Sequence, residues 1–149
     1  LHIILIQEIA EQIKELVGGT IFRIEPVEKY PRKYQEILKV SKVEINNNIR
    51  LQLTNTVKNI DQYESIFVGS PNWYSTIAPT VATFLSEYDL SGKNVIPFLT
   101  HGGVVHCITD IKKLSVNATI LERFVIAESL IGKVKQELQD WLTRIQILG

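Results

Sequence analysis

Residues 65–103 read SIFVGSPNWYSTIAPTVATFLSEYDLSGKNVIPFLTHGG, and their order of apolar runs, prolines and glycines decides the fold. Ile66-Phe67-Val68 is a continuous apolar run, as expected of a strand covered on both faces. Pro79 stands where a helix starts, with its fixed φ and its missing donor both harmless there. Val81, Phe84 and Leu85 supply the inward side of that helix. Ser91-Gly92 then turns the chain into a further strand over Lys93–Leu99. Pro97 lies inside that strand and cannot donate to a ladder, so it marks a place where pairing ends or bulges. Strand, helix, strand in this order is the signature of a β-α-β unit in a parallel sheet.

The same alternation extends in both directions. Leu1–Ile6 (LHIILI) reads as a buried strand, and Gln7–Val17 as a helix with Ile9, Ile13, Leu16 and Val17 on one face. One helix from Leu1 to Val17 is the alternative, but it would be apolar all round at its start, so the strand is expected. Gly18-Gly19 ends the helix. Thr20–Glu25 reads as a second strand, with Phe22 and Ile24 on one side and Arg23 and Glu25 on the other; Pro26 places it at a sheet edge. A helix follows Pro31, carrying Tyr34, Ile37, Leu38 and Ile45, and Asn46-Asn47-Asn48 ends it. Beyond residue 103, Thr109 caps a short helix to Leu114, and Ala118–Leu121 starts a fifth strand that continues towards Ile126. The last helix spans Lys133–Ile145. Val134, Leu138, Trp141, Leu142 and Ile145 form its stripe, so Trp141 belongs to the core.

The 149 residues suit one domain, 1–149, and 45% hydrophobic with 21% charged residues is ordinary for a folded protein. Sixteen basic and sixteen acidic residues cancel, which argues against nucleic acid or an anionic membrane as the main partner. Cys107 is the only cysteine, so no intrachain disulfide exists, and a reducing, cytoplasmic compartment is expected. No apolar run reaches the roughly 20 residues of a membrane span. Leu1–Ile6 is too short for a signal-peptide core. With no methionine anywhere and Leu1 first, the encoded chain is expected to be longer than these residues.

Ligands of open parallel sheets gather beyond the carboxyl ends of the strands. Two loops there have unusual composition. Ser70-Pro71-Asn72-Trp73-Tyr74-Ser75-Thr76 sets two aromatics among hydroxyls and an amide, which suits a planar ligand with polar edges; equally, Trp73 and Tyr74 would fold back to cover the core. Thr100-His101-Gly102-Gly103 offers backbone N–H groups that a ligand can approach without Cβ atoms in the way; a plain tight turn is the simpler reading, with His101 capping the strand end. His106-Cys107 gives no sign of a nucleophile–base pair, and His2, His101 and His106 lack metal-ligand spacing. No catalytic residue and no metal site is expected.

At Pro71–Thr76 and Thr100–Gly103 the chain resembles the flavodoxin-like proteins of bacteria, in particular a branch with Pro-Asn-Trp-aromatic and Thr-His-Gly-Gly loops. Further stretches carry the resemblance in order: Ile24-Glu25-Pro26 with Tyr30-Pro31, Phe84 through Lys93, and Asp110-Ile111-Lys112-Lys113-Leu114. It implies a three-layer doubly wound α/β sandwich around a five-stranded parallel sheet of order 2-1-3-4-5, with flavin mononucleotide (FMN) at the switch point; flavodoxin is the standard example of that order. By that analogy Pro71, Asn72, Trp73, Tyr74, Ser75 and Thr76 frame the isoalloxazine ring. Thr100, His101, Gly102 and Gly103 contact its other side and polar edge.

Two departures bear on this. The family's first strand leads into a hydroxyl-rich, glycine-containing loop that wraps the FMN phosphate, whereas here Ile6 runs directly into Gln7. Such connections take roughly 2–6 residues, so residues are expected to be missing between Ile6 and Gln7. After Gly103, Val104-Val105-His106-Cys107 is shorter and bulkier than the family's glycine-rich continuation. The resemblance implies an electron carrier that works with a redox partner protein or a small-molecule acceptor. An FMN-dependent NAD(P)H:quinone-type oxidoreductase is the nearer alternative, and the neutral charge favours it, since flavodoxins that carry electrons are often strongly acidic. A flavodoxin-fold binding module without flavin is the third.

Overall fold

The protein is described by a computed structural model covering residues 2–29, 31, 33–47, 50–73, 76–100, 104–126 and 134–148. Its centre is a parallel sheet. Strand β1 (Ser65–Ser70) pairs along its whole length with β4 (Asn94–Thr100), from Ser65 opposite Asn94 to Ser70 opposite Leu99. Two short strands, β5 (Thr119–Ile120) and β6 (Phe124–Ile126), share the other edge of β4, both parallel to it. Between β1 and β4 lie a two-residue antiparallel ladder, β2 (Asn72–Trp73) with β3 (Thr76–Ile77), and helix α3 (Pro79–Glu87). The remaining helices are α1 (His2–Val17), α2 (Tyr34–Asn46), α4 (Val104–Leu114) and α5 (Val134–Arg144).

The alternation of β4 builds two cores. Val95 and Leu99 join Val68, Val81, Leu85 and Ile111 on the α3–α4 side. Ile96 and Phe98 point the other way, to Ile9, Ile13, Leu138 and Trp141 on the α1–α5 side. A sheet so covered on both faces is buried throughout, and β4 is buried at every residue from Val95 to Thr100. Trp141 is 1% exposed, lies against Phe124 and Phe67, and donates its indole N–H to the Glu122 carbonyl at 2.8 Å.

Pro97 sits where its missing donor does least harm. The Asn94 N–H donates to the Glu64 carbonyl, so alternation along a parallel ladder turns the even-numbered residues of β4 towards β1 and the odd-numbered ones towards β5 and β6. Leu121 N–H still reaches the Val95 carbonyl at 3.0 Å, and pairing resumes only at Phe98 opposite Phe124. The fifth strand is therefore broken opposite the proline, while pairing with β1 continues through it.

Three expectations need correction. The strand expected over Leu1–Ile6 does not form at its described residues: His2–Ile6 are the first turns of α1. With no connection between Ile6 and Gln7, the ladder of Gln7–Val17 propagates backwards, one hydrogen bond per residue added, once the helix is nucleated. Thr20–Glu25 keeps the expected alternation, with Phe22 and Ile24 packed on the core and Arg23 paired with Glu25 at 3.2 Å, but it joins no sheet. Among the described residues its neighbourhood holds an isolated bridge, Pro26 opposite Leu53. Among the described residues the sheet thus holds the last three of the five expected strands, in the expected order. Finally, α4 begins at Val104, five residues before Thr109. Other boundaries agree closely: Gly18 and Gly19 stop α1 with φ of 76° and 95°, and α3 starts on Pro79.

The turn into β4 is held locally. Ser91 donates from its N–H (3.0 Å) and its hydroxyl (2.6 Å) to the Asp89 carboxylate, which keeps that carboxyl below its ordinary range. Buried Lys93 donates to the Tyr63 carbonyl at 2.6 Å, tying the turn before β1 to the start of β4.

Candidate functional site

Because β1 and β4 are parallel and Ser70 lies opposite Leu99, both strands end at one edge of the sheet, side by side. Pro71, Asn72 and Trp73 leave from β1 there, and Thr100 closes β4 beside them. The register therefore brings the beginnings of the two loops together. Pro71 is buried, Thr100 is 2% exposed, and Thr100 lies opposite Ile126 of β6. Asn72 and Trp73 are described through their backbone, which pairs with Ile77 and Thr76. Tyr74, Ser75, His101, Gly102 and Gly103 lie outside the described residues.

Three hydrogen bonds hold this edge. Ser70, 0% exposed, donates its hydroxyl to the Pro71 carbonyl at 2.8 Å and accepts the Ala78 N–H at 3.0 Å. One side chain thus closes the two ends of the 71–78 segment and sets Pro79 at the start of α3. Thr76 donates its hydroxyl to the Asp110 carboxylate, fastening β3 to α4, the helix that follows the second loop. Neither Ser70 nor Asp110 was expected as a site residue, although Ser70 opens the loop read as ligand-facing and Asp110 begins one of the stretches that carry the resemblance.

The electrostatics of the edge favour a negative ligand. The contact of Ile6 with Gly69 puts the start of α1 near the carboxyl end of β1, with Ile6 Cγ2 3.0 Å from the position a Gly69 Cβ would take. No acidic residue occurs in the first turn of α1, α3 or α4. The positive dipole ends of these helices thus carry no carboxylate in their first turns, which suits a negative ligand. Leu1–Gln7 contains no hydroxyl and no glycine, so its donors are backbone groups together with the His2 and Gln7 side chains.

His106 and Cys107 are divided by the helix that carries them: His106 is exposed, while Cys107 is fully buried. Burial pushes the Cys107 thiol up to about 11, with the Asp110 charge adding in the same direction. A thiol so protonated is a core residue, not a nucleophile. Among the described residues no group of three or more His, Cys, Asp or Glu side chains is placed to hold a metal, and no helix is long and apolar enough to cross a membrane.

The flavodoxin family model matches residues 4–145. The chain belongs to the flavodoxin family. Solved structures of the same shape agree with that membership. A candidate flavoprotein from Bacteroides eggerthii superposes with a TM-score of 0.80 at 26% identity, covering 93% of this chain and 89% of the other. A second, from Bacteroides uniformis, gives 0.77 at 23% identity and covers 89% of each chain. A flavoprotein from Lactobacillus acidophilus, solved in complex with FMN, gives 0.70 at 15% identity, covering 91% of this chain and 89% of that one, a likeness of fold. No curated protein matches the chain. In open parallel α/β sheets ligands gather beyond the carboxyl ends of the strands, and β1 and β4 end there side by side.

Proposed function

We propose that this flavodoxin-family protein binds FMN across the loops that follow β1 and β4 and serves as an electron carrier. The observation that supports it most is the parallel register ending at Ser70 and Leu99, which sets Pro71–Trp73 beside Thr100 at an edge whose helices begin without acids. Bound flavin would supply one- and two-electron redox chemistry. The chain's own part is to place and tune it. Pro71, Asn72, Trp73, Tyr74, Ser75 and Thr76 would flank one side of the ring, and Thr100, His101, Gly102 and Gly103 the other side and its polar edge. An aromatic face against the ring disfavours an anionic reduced flavin, whereas backbone N–H groups at Gly102 and Gly103 act in the opposite sense. The ends of α1 and α4 would hold the phosphate through backbone donors.

The donor or acceptor is a redox partner protein or a small molecule, and a single cysteine, Cys107, outside any intrachain disulfide fits a cytoplasmic setting. The balanced charge favours a second reading, an FMN-dependent oxidoreductase that passes electrons from NAD(P)H to a quinone. Titration of the protein with FMN tests the cofactor: fluorescence quenching with a micromolar Kd is expected, and Trp73→Ala should weaken it about tenfold, as for loss of ~1.4 kcal/mol of stacking. Absence of quenching at micromolar FMN would make the protein a binding module instead. Steady NAD(P)H oxidation with quinone and no partner protein would select the oxidoreductase.

A further inference from the structure

The segment that would flank the ring has little secondary structure of its own. Strands β2 and β3 pair through Asn72 opposite Ile77 and Trp73 opposite Thr76, and an isolated two-stranded ladder is marginal in water. The segment is held instead by its surroundings. Ser70 ties the Pro71 carbonyl to the Ala78 N–H. Ile77 and Ala78 are both buried in the α3–α4 core. Thr76, half-buried, donates its hydroxyl to the Asp110 carboxylate of α4. That last bond acts at the residue whose backbone lies opposite Trp73.

Asp110 is the better fixed of the two partners. Cys107 and Ile111 of α4 are fully buried and Ile108 is nearly so, so the helix cannot turn or slide without opening the α3–α4 core. Asp110 stands between them in sequence, half-buried. Helix α4 also begins at Val104, directly after the second loop of the candidate site. The bond therefore joins a rigid helix leading out of one loop to the strand that closes the other. A carboxylate only accepts, so the single proton of the Thr76 hydroxyl is directed at Asp110, and such charge-assisted bonds are stronger than neutral ones. Water could satisfy a half-buried hydroxyl equally well. What the carboxylate adds is a fixed position.

We propose that Asp110 is a positioning residue for the flavin, a role that rests on the FMN binding proposed for this edge: acting through Thr76, it holds the strand that carries Trp73 in place relative to the loop leading into α4, and so sets the width of the slot between them. The whole chain and its variants are titrated with FMN, the visible circular dichroism of the bound flavin is recorded, and amide exchange at Thr76 and Ile77 is followed without FMN. Asp110→Ala should weaken binding about tenfold, the loss expected for one hydrogen bond to a charged group. It should also alter the dichroism of the flavin that remains bound and speed exchange at both amides. Thr76→Val should weaken binding similarly, and the double variant should be no weaker than either single one, because both remove the same bond. Asp110→Asn keeps an oxygen for the hydroxyl and should fall between Asp110→Ala and the unaltered protein. A purely structural role would lower the unfolding midpoint and leave the dichroism of bound flavin unchanged. The proposal is overturned if the unaltered protein binds FMN and Asp110→Ala matches it in affinity and dichroism, if the two single losses add, or if the two amides exchange at unchanged rates. Failure of the unaltered protein to bind FMN would overturn the cofactor reading itself, and is told apart because it precedes any substitution.

Discussion

Trp141 joins three functions in one side chain: it fills the α1–α5 core, stacks near Phe124 and Phe67, and satisfies the Glu122 carbonyl at the break between β5 and β6. Trp141→Ala should cost ~3–5 kcal/mol in urea denaturation. Trp141→Phe should cost less, with ~1 kcal/mol of it from the orphaned carbonyl. Cys107 makes the complementary prediction on the other face. Its thiol is fully buried and pushed up to about 11 from an ordinary 9. The native state therefore holds this proton more tightly than the unfolded chain. The thiol's favourable contribution is complete below about pH 9 and is lost as pH rises towards about 11. Unfolding free energy plotted against pH should fall more steeply over that interval in the wild type than in Cys107→Ala. At neutral pH, thiol reagents should label Cys107 only after denaturant is added.

Strand pairing imposes its own demands. Gly69 lies opposite Phe98, and a Cβ there would come within 2.3 Å of the Phe98 ring, itself buried at 4% exposure. Gly69→Ala should destabilise by ~1–3 kcal/mol through overpacking, and Phe98→Leu should recover part of that loss in the double variant; additive effects would place the clash elsewhere. The elements also show how far local pattern reaches. Residues 65–100 were legible as strand, helix and strand because apolar runs, an N1 proline and a Ser-Gly turn are all local signals. The start of α1 was not legible. Apolar residues suit a buried strand or a buried helix equally, and only the lack of a connection to Gln7 tips His2–Ile6 into the helix. Thr20–Glu25 had the right alternation, but alternation sets which side chains go inward and not which backbone pairs.

Over the whole molecule, two cores are joined by β1 and β4, whose alternate residues belong to opposite faces. Neither core retains its floor if the sheet opens, so unfolding should be a single cooperative transition. In a Trp73→Phe background, Trp141 fluorescence reports the α1–α5 core and Cys107 labelling the α3–α4 core; their denaturation midpoints should coincide. Separate midpoints would mean that the sheet survives loss of one layer. At this scale the candidate site was half legible. Composition drew attention to Pro71–Thr76 and Thr100–Gly103, but it was the Ser70–Leu99 register that set Pro71–Trp73 beside Thr100, and the roles of Ser70 and Asp110 came from their contacts.

Local order along the chain was enough to specify a parallel α/β architecture, the helix starting at Pro79, the terminal helix with Trp141 inward, and the place on β4 where pairing had to yield. Each rests on residues within one or two turns of each other, so the pattern carries the physics. Tertiary structure alone decided that α1 reaches back to His2, that Thr20–Glu25 stays outside the sheet, and that Thr76 is tied to Asp110, 34 residues away. Those outcomes depend on which distant group arrives to satisfy a donor, fill a space or occupy an edge, and no short stretch of sequence contains its own partner.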